Sequence, residues 1–360
     1  MCQQQVKLKS GWITKRARRY ILRLLTEEYF SCACKLTKQS SNFTGSVIVY
    51  SVSISVWFVL WLIIGDRFWW LSVLNRIVPY LFIPALLFLV WGLFTRRYRS
   101  IIPLLLPVLI FGGMYHPYLI PRLTKPAGEN PDLKVMTYNV LYSNFDYDTV
   151  ANVVLAYQPD LVALQEVQPG MMSALQARLA DEYPYSLMGT ENEYGTTAVF
   201  SRYAFTDSYV LDLQADRPAV VVKTNIGGHP VTFVAVHLLA YNLWWTKWKD
   251  IPAVVAQRTA RQNRQAEVVL GQVEDFDGIV IVGCDCNSYE TSSSYRIFDR
   301  SMNNSARETG WVLGEAELGT ALQQIDYVWY RGSLKPIWVN KLRDSDGSDH
   351  FPVLSAFQMK

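Results

Sequence analysis

Apolar positions fall into two regimes along the chain. Ser46–Ile64 (SVIVYSVSISVWFVLWLII) carries no charge and has about the 20 residues needed to cross a bilayer. A second apolar run extends from about Leu71 to Phe94, broken only by Asn75 and Arg76, and a third from Ile101 to about Ile120. Three runs of membrane length predict three transmembrane helices in residues 46–120. The polar stretch 121–131 (PRLTKPAGENP) reads as a linker. From 132 to 360 short apolar runs alternate with helical periodicity. Strands are predicted over Leu133–Val140, Leu161–Leu164, Ala198–Phe200, Ala219–Thr224, Val231–Val236, Ile279–Gly283, Tyr327–Tyr330 and Val353–Phe357. Helices are predicted over Asp148–Tyr157, Gly170–Leu179 and Val254–Val273. Strands alternating with helices predict packed sheets covered by helices, an α/β or α+β domain.

Charge sharpens this division. Residues 1–119 hold 14 Lys/Arg against 3 Asp/Glu, and residues 120–360 hold 20 against 28. The N-terminal segment 1–45 and the loop bearing Arg96, Arg97 and Arg99 carry the positive charge, which predicts that both stay cytoplasmic. Three crossings then put residues 132–360 on the extracytoplasmic side, with Asp66 and Arg67 in a short outer loop. Lys7–Leu25 is basic and partly amphipathic and reads either as a surface-lying helix or as a solvated tail. The acidic C-terminal region is not the footprint of a general nucleic-acid binder but suits carboxylates gathered around a divalent cation. The five cysteines show neither zinc spacing nor a disulfide framework; Cys284 and Cys286 read as small core residues.

Polar residues at the ends of apolar strands are the candidate site. Asn139 ends the first strand. Glu166 follows Leu161–Gln165, His237 follows Phe233–Val236, and Asp285 and Asn287 follow Ile279–Gly283. Asp326 precedes Tyr327–Trp329, and Asp349 and His350 precede Phe351–Val353. Buried charges are costly without partners, so several carboxylates with two amides and two histidines suggest a shared cation and a polar substrate.

These residues carry a resemblance. Thr137-Tyr138-Asn139-Val140, Gln165-Glu166-Val167, Val236-His237, Gly283-Cys284-Asp285-Cys286-Asn287, Ile325-Asp326-Tyr327 and Ser348-Asp349-His350-Phe351-Pro352-Val353 resemble, in order, the motifs of the endonuclease/exonuclease/phosphatase superfamily. The resemblance covers the C-terminal two thirds. It implies a four-layer α/β sandwich, two packed β-sheets with helices outside, and a hydrolase acting on phosphate esters with Mg²⁺, or Mn²⁺ as a substitute. Glu166 would be the metal ligand, supported by Asn139 with Asp349 close by. Asp285 would orient or deprotonate the attacking water, and Asn287 would hold the water or a phosphate oxygen. His350 would contact the scissile phosphate as acid, base or charged donor, with Asp326 fixing its tautomer. His237 would be a second phosphate contact. Arg217 and Tyr194 resemble substrate contacts of some members. Gln168 and the two cysteines around Asp285 depart from the nuclease branch and put close nuclease kinship in doubt.

Substrate remains open between nucleic acid and a phospholipid or sphingomyelin-type headgroup. A non-catalytic membrane scaffold is a third reading, against which the intact motif set argues, and no protein partner is expected. Tyr241–Lys249 (YNLWWTKWK) follows His237. Its tryptophans and lysines either dip into lipid beside the site or pack against the protein. Arg258, Arg261 and Arg264 read as a solvated helix face rather than a phosphate track.

Overall fold

The computed structural model describes residues 42–119, 130–191, 194–214, 217–243, 245–309, 324–343, 345 and 347–360. The basic segment through residue 41, most of the linker and Trp244 lie outside these.

The first apolar run forms α1 (Asn42–Ile64), and the third forms the helical stretch Tyr98–Tyr118, whose α-helical part α5 is Leu105–Leu119. Both are long and apolar enough to cross a membrane. Their outward residues, such as Val49, Ile63 and Leu109, are apolar and exposed. The second run differs from expectation. It bends by 79° between α2 (Trp69–Arg76) and the helical stretch Val78–Phe94, made of α3 (Val78–Leu81) and α4 (Ile83–Phe94). Among the described residues two helices are therefore long and apolar enough to cross a membrane, or three if the bent pair counts as one span. The break has a cause in sequence: Pro79 opens α3, lacks an N–H for the preceding turn, and disfavours helical backbone before it.

Two compact units emerge. One joins residues 42–55 with Pro84–Val108 around Val47, Ala85 and Leu104. The other joins Val56–Ile83 with Leu109–Lys360. In the larger unit α2 buries Leu71, Ser72 and Asn75. The Ser72 hydroxyl meets those of Tyr241 and Thr259 at 3.2 and 3.0 Å. Asp66, in the short loop between the first two apolar runs, is buried, accepting from Asn75 Nδ2 at 2.5 Å.

Among the described residues, this unit also holds two six-stranded sheets. The first runs β11 (Leu334–Lys341), β12 (Val353–Met359), β1 (Leu133–Asn139), β2 (Leu161–Val167), β4 (Thr196–Ser201), β3 (Tyr185–Met188). The second runs β5 (Phe205–Leu211), β6 (Ala219–Ile226), β7 (His229–His237), β8 (Ile279–Asp285), β10 (Asp326–Arg331), β9 (Asn303–Asn304). Two neighbouring pairs are parallel, β1 with β2 and β7 with β8. Each needs a crossover, supplied by α6 (Tyr147–Tyr157) and by α8 (Ile251–Glu274). With α7 (Pro169–Leu179), α6 packs Val150, Val154 and Leu175 on Met136, Tyr138 and Leu164 of the first sheet. On the second sheet, α8 packs Ala266, Val269 and Val273 on Val234, Val236 and Val282. The opposite faces meet each other: a Cβ on Gly283 would touch Ala163 and Thr137, so only hydrogen fits there. The result is the expected helix, sheet, sheet, helix sandwich.

Cys284 and Cys286 lie in the α8-covered core, as expected of small apolar residues, but they form a disulfide, which was not expected. Cys284 lies near the end of β8 and Cys286 just beyond it, with their Cα atoms 5.1 Å apart, within bridging range.

Candidate active site

The two parallel pairs aim their C-terminal ends at one place. In the second sheet His237 pairs with Asp285 across β7–β8, and Asp285 pairs with Asp326 across β8–β10. Three polar side chains thus stand in a row fixed by register. In the first sheet Asn139 and Glu166 end neighbouring strands, and His350 leads into β12 beside β1.

Asp285 is the meeting point. Its Oδ2 accepts from Asn139 Nδ2 at 2.8 Å and lies 3.3 Å from His237 Nε2 and 3.9 Å from His350 Nε2. Its Oδ1 accepts from the Asn287 amide at 3.1 Å. Burial and the neighbouring Asp326 carboxylate push the Asp285 pKa up to about 6. His350 Nδ1 donates to Asp326 Oδ2 at 2.9 Å. Burial alone would lower the His350 pKa, but the Asp326 and Asp285 carboxylates outweigh it and hold the ring well above its usual value, as an imidazolium. His237 is the opposite case. Burial, then Arg217, then His350 drive its pKa well below the usual value, and the Arg217 guanidinium donates to the neutral ring. Two histidines of the same type therefore carry different charge, set by their neighbours.

Glu166 has a left-handed backbone, φ 63°, at an irregularity in the β2–β4 pairing. Its Oε1 lies 3.4 Å from Arg217 Nη2 and 3.9 Å from His237 Nε2, and its Oε2 accepts from the Tyr142 amide at 3.0 Å. Burial raises its pKa, with Arg217 offsetting part of the rise. Asn287, also left-handed at φ 46°, donates from Nδ2 to the Leu238 carbonyl at 3.1 Å. Asp349 Oδ1 is buried without a hydrogen-bond partner. Tyr194 lies at the rim, its ring edge-on to Tyr142, next to Gly195, which packs directly on the Glu166 backbone.

All ten expected residues thus fall at or beside one site. Asn139, Glu166, Arg217, His237, Asp285, Asp326 and His350 form one linked network. Asp349 adjoins it through Ser348, whose hydroxyl donates to the Asn139 carbonyl at 2.6 Å and accepts from the His350 amide at 3.0 Å. Ser348, Tyr142 and Gly195 were not foreseen; Ser348 stands inside a quoted motif, but nothing in the sequence marks a backbone donor such as Tyr142. Among the described residues, one cluster of acidic and histidine side chains is close enough to hold a cation. Ligand atoms of Asp285, Asp326 and His350 lie within 4.8 Å of one another. Tyr241 is buried, whereas Trp245 and Trp248 are 93 % and 90 % exposed, so these two tryptophans do not pack against the domain.

The model of the Endonuclease/Exonuclease/phosphatase family matches residues 136–350. No curated protein matches the chain. Among solved structures, a D. rerio TDP2 humanised by 14 mutations is 17 % identical and has a TM-score of 0.52. That match covers 63 % of this chain and 99 % of the other. An endonuclease/exonuclease/phosphatase from Beutenbergia cavernae is 20 % identical over 64 % of this chain and 72 % of its own, with a TM-score of 0.51. D. rerio TDP2 complexed with a single-strand DNA product is 18 % identical over 63 % of this chain and 99 % of its own, also at 0.51.

Proposed function

The chain belongs to the endonuclease/exonuclease/phosphatase family, and from that premise we propose that it is a membrane-anchored, divalent-metal-dependent phosphoesterase cleaving its substrate by attack of water. The observation that carries this reading is the convergence of Asn139, His237 and His350 on the Asp285 carboxylate, with Glu166 alongside.

Asp285 orients the attacking water and takes its proton as the water oxygen bonds to phosphorus. The bond from phosphorus to the leaving oxygen breaks, and the His350 imidazolium gives that oxygen a proton. Asp326, accepting from Nδ1, orients the charged ring so that its Nε2–H faces the leaving oxygen. Arg217 and neutral His237 line the side where non-bridging oxygens gather charge, and Asn287 keeps the water or one such oxygen in place. Tyr194 contributes a substrate contact at the rim. For the cation we favour Glu166 and Asp349, supported by Asn139, over the Asp285, Asp326, His350 group. The unpartnered Asp349 oxygen and the oxygen-only donor set suit a hard ion, whereas an imidazolium repels one. Mg²⁺, or Mn²⁺ in its place, supplies Lewis-acid stabilisation of charge on the phosphate oxygens when bound there.

The substrate is a phosphodiester at a lipid surface, a phospholipid or sphingomyelin-type headgroup rather than nucleic acid. Support comes from Trp245 and Trp248, exposed beside Lys247 and Lys249. Tryptophan with lysine favours the interface between lipid and water. In this reading α1, Val78–Phe94 and Tyr98–Tyr118 each cross the bilayer, residues 1–45 are cytoplasmic, and residues 132–360 are extracytoplasmic.

The test uses the full chain in detergent with Mg²⁺, offered sphingomyelin or phosphatidylcholine vesicles or supercoiled plasmid at two salt concentrations. Headgroup release that Glu166→Gln abolishes, and that Trp245→Ala with Trp248→Ala weakens on vesicles, is the expected result. Salt-sensitive plasmid nicking abolished by the same control would make the protein a nuclease. No turnover on either would count against the whole assignment.

The pH profile is a second check. Water activation needs ionised Asp285, so activity rises with pH through the Asp285 pKa of about 6, or lower once a cation is bound. Leaving-group protonation needs charged His350, so activity falls as pH rises through the elevated His350 pKa. Asp326→Asn removes the carboxylate that holds His350 up and repels Asp285. Both limbs of the kcat/KM profile should move to lower pH; an alkaline limb that stays in place would refute the assigned pairing.

A further inference from the structure

We propose that the segment joining the first two apolar helices, with Arg76 at its end, is a built-in part of the active site, holding the Asn287 turn in its working conformation. This rests on the phosphoesterase reading, and it assigns a role to residues outside the stretch that matches the family model, 136–350.

Several polar groups of that segment and of the end of α1 find partners on the loop that follows Asp285. The Trp61 indole donates to the Thr291 carbonyl at 2.8 Å. The Thr291 hydroxyl donates to the Asn75 carbonyl. Asp66 and Ser293 exchange two bonds: the Ser293 amide donates to Asp66 Oδ2 at 2.7 Å, and the Asp66 amide donates to Ser293 Oγ at 3.1 Å. The short helix α9 (Ser293–Phe298) has no side-chain cap from its own N-cap residue, Ser292, so Asp66 satisfies its first turn from more than 200 residues away. Arg296 returns the contact, donating to the Trp61 carbonyl at 2.9 Å with its guanidinium over the Trp61 ring.

Arg76 reaches deepest. Its guanidinium stacks on the Tyr241 ring, 3.1 Å from the centroid, with Tyr289 at 5.4 Å. Its Nη2 donates to the Asn287 carbonyl at 3.5 Å, where Gln262 Nε2 donates at 2.9 Å. Asn287 holds a left-handed φ of 46°, a conformation asparagine tolerates better than most residues with a side chain and that its hydrogen bonds keep in place. Its amide bonds Asp285 and its Nδ2 bonds Leu238, so a shift of its carbonyl is felt by both. Arg76 therefore acts as a positioning residue, through Asn287, on the group assigned to hold the water. Asn75 and Asp66 fix the loop on either side, with the Asn75 side-chain amide accepting from Trp57 Nε1 at 3.0 Å and donating to Asp66.

The experiment compares the full-length wild type with Arg76→Ala, Asn287→Ala and the double variant, all in detergent with Mg²⁺ and bis(4-nitrophenyl) phosphate, a soluble phosphodiester that needs no membrane. Arg76→Ala is expected to lower kcat on the order of 10- to 100-fold, the cost of displacing a reacting group by about an ångström, with KM little changed. Because both residues act through one turn, the double variant should be no slower than Asn287→Ala alone. Hydrogen exchange should quicken in residues 286–298 of Arg76→Ala while β1, β2 and β7 stay protected. Wild-type kcat in Arg76→Ala, or a double variant slower by the full product of the two single effects, would overturn the proposal. Faster exchange throughout both sheets would also overturn it, marking Arg76 as merely structural. A wild type without metal-dependent turnover on any phosphoester sinks the phosphoesterase reading itself, and this proposal with it.

Discussion

Asp285→Asn is expected to lower turnover about a thousandfold while leaving the fold and melting temperature nearly unchanged. An amide keeps the size of the carboxylate and can still face Asn139, but it takes no proton from water, and general-base assistance is worth roughly 10² to 10⁴ in rate. The substitution also alters charge. Asp285 sits 3.3 Å from His237 Nε2 and 3.9 Å from His350 Nε2. Removing it withdraws one of the two carboxylates that keep His350 protonated, so the remaining activity should decline at lower pH than in the wild type. Stability should not suffer greatly, because a buried carboxylate crowded by Asp326 is itself costly. Retention of more than about a tenth of wild-type kcat at saturating Mg²⁺ would remove Asp285 from the base role.

Most of the site was legible because strand ends are legible. An apolar run of four or five residues that stops at Asn139, Glu166, His237 or Asp285 marks both a buried strand and the place where a polar group must find company. Register then did what sequence cannot write down, setting His237, Asp285 and Asp326 side by side. The missed strands β3, β5 and β11 lack a buried apolar run. They are sheet edges with mostly half-exposed or exposed positions, so no alternation stands out. The polar interruptions in the apolar region misled for a different reason. Asp66 and Asn75 look like loop and membrane-boundary residues when only neighbours in sequence are considered. The Asp66 carboxylate accepts from Ser293 and the Asn75 carbonyl from Thr291, each more than 200 positions away, and only the folded chain joins them.

Gly195→Ala should be nearly as damaging as loss of a catalytic group, although residue 195 carries no chemistry. A Cβ at this position would stand 2.4 Å from both the carbonyl carbon and oxygen of Glu166, and the glycine has φ 73°. Backbone cannot yield there as a flexible side-chain tip would. Glu166 is already in a left-handed conformation, held by the irregular β2–β4 pairing and by the Tyr142 amide. Pushing it away rotates the carboxylate assigned to the cation. The expected result is a stability loss of about 2–4 kcal/mol, a rise in the Mg²⁺ concentration for half-maximal activity, and a fall in kcat on the order of 100-fold. Gly227 supplies the control. Its φ of 61° is as unfavourable for a side chain, but a Cβ there meets nothing within 4 Å. Gly227→Ala should therefore carry only the conformational cost, about 1 kcal/mol, with unchanged metal dependence. Equal effects from the two substitutions would mean that backbone conformation, rather than the close approach to Glu166, is what residue 195 provides.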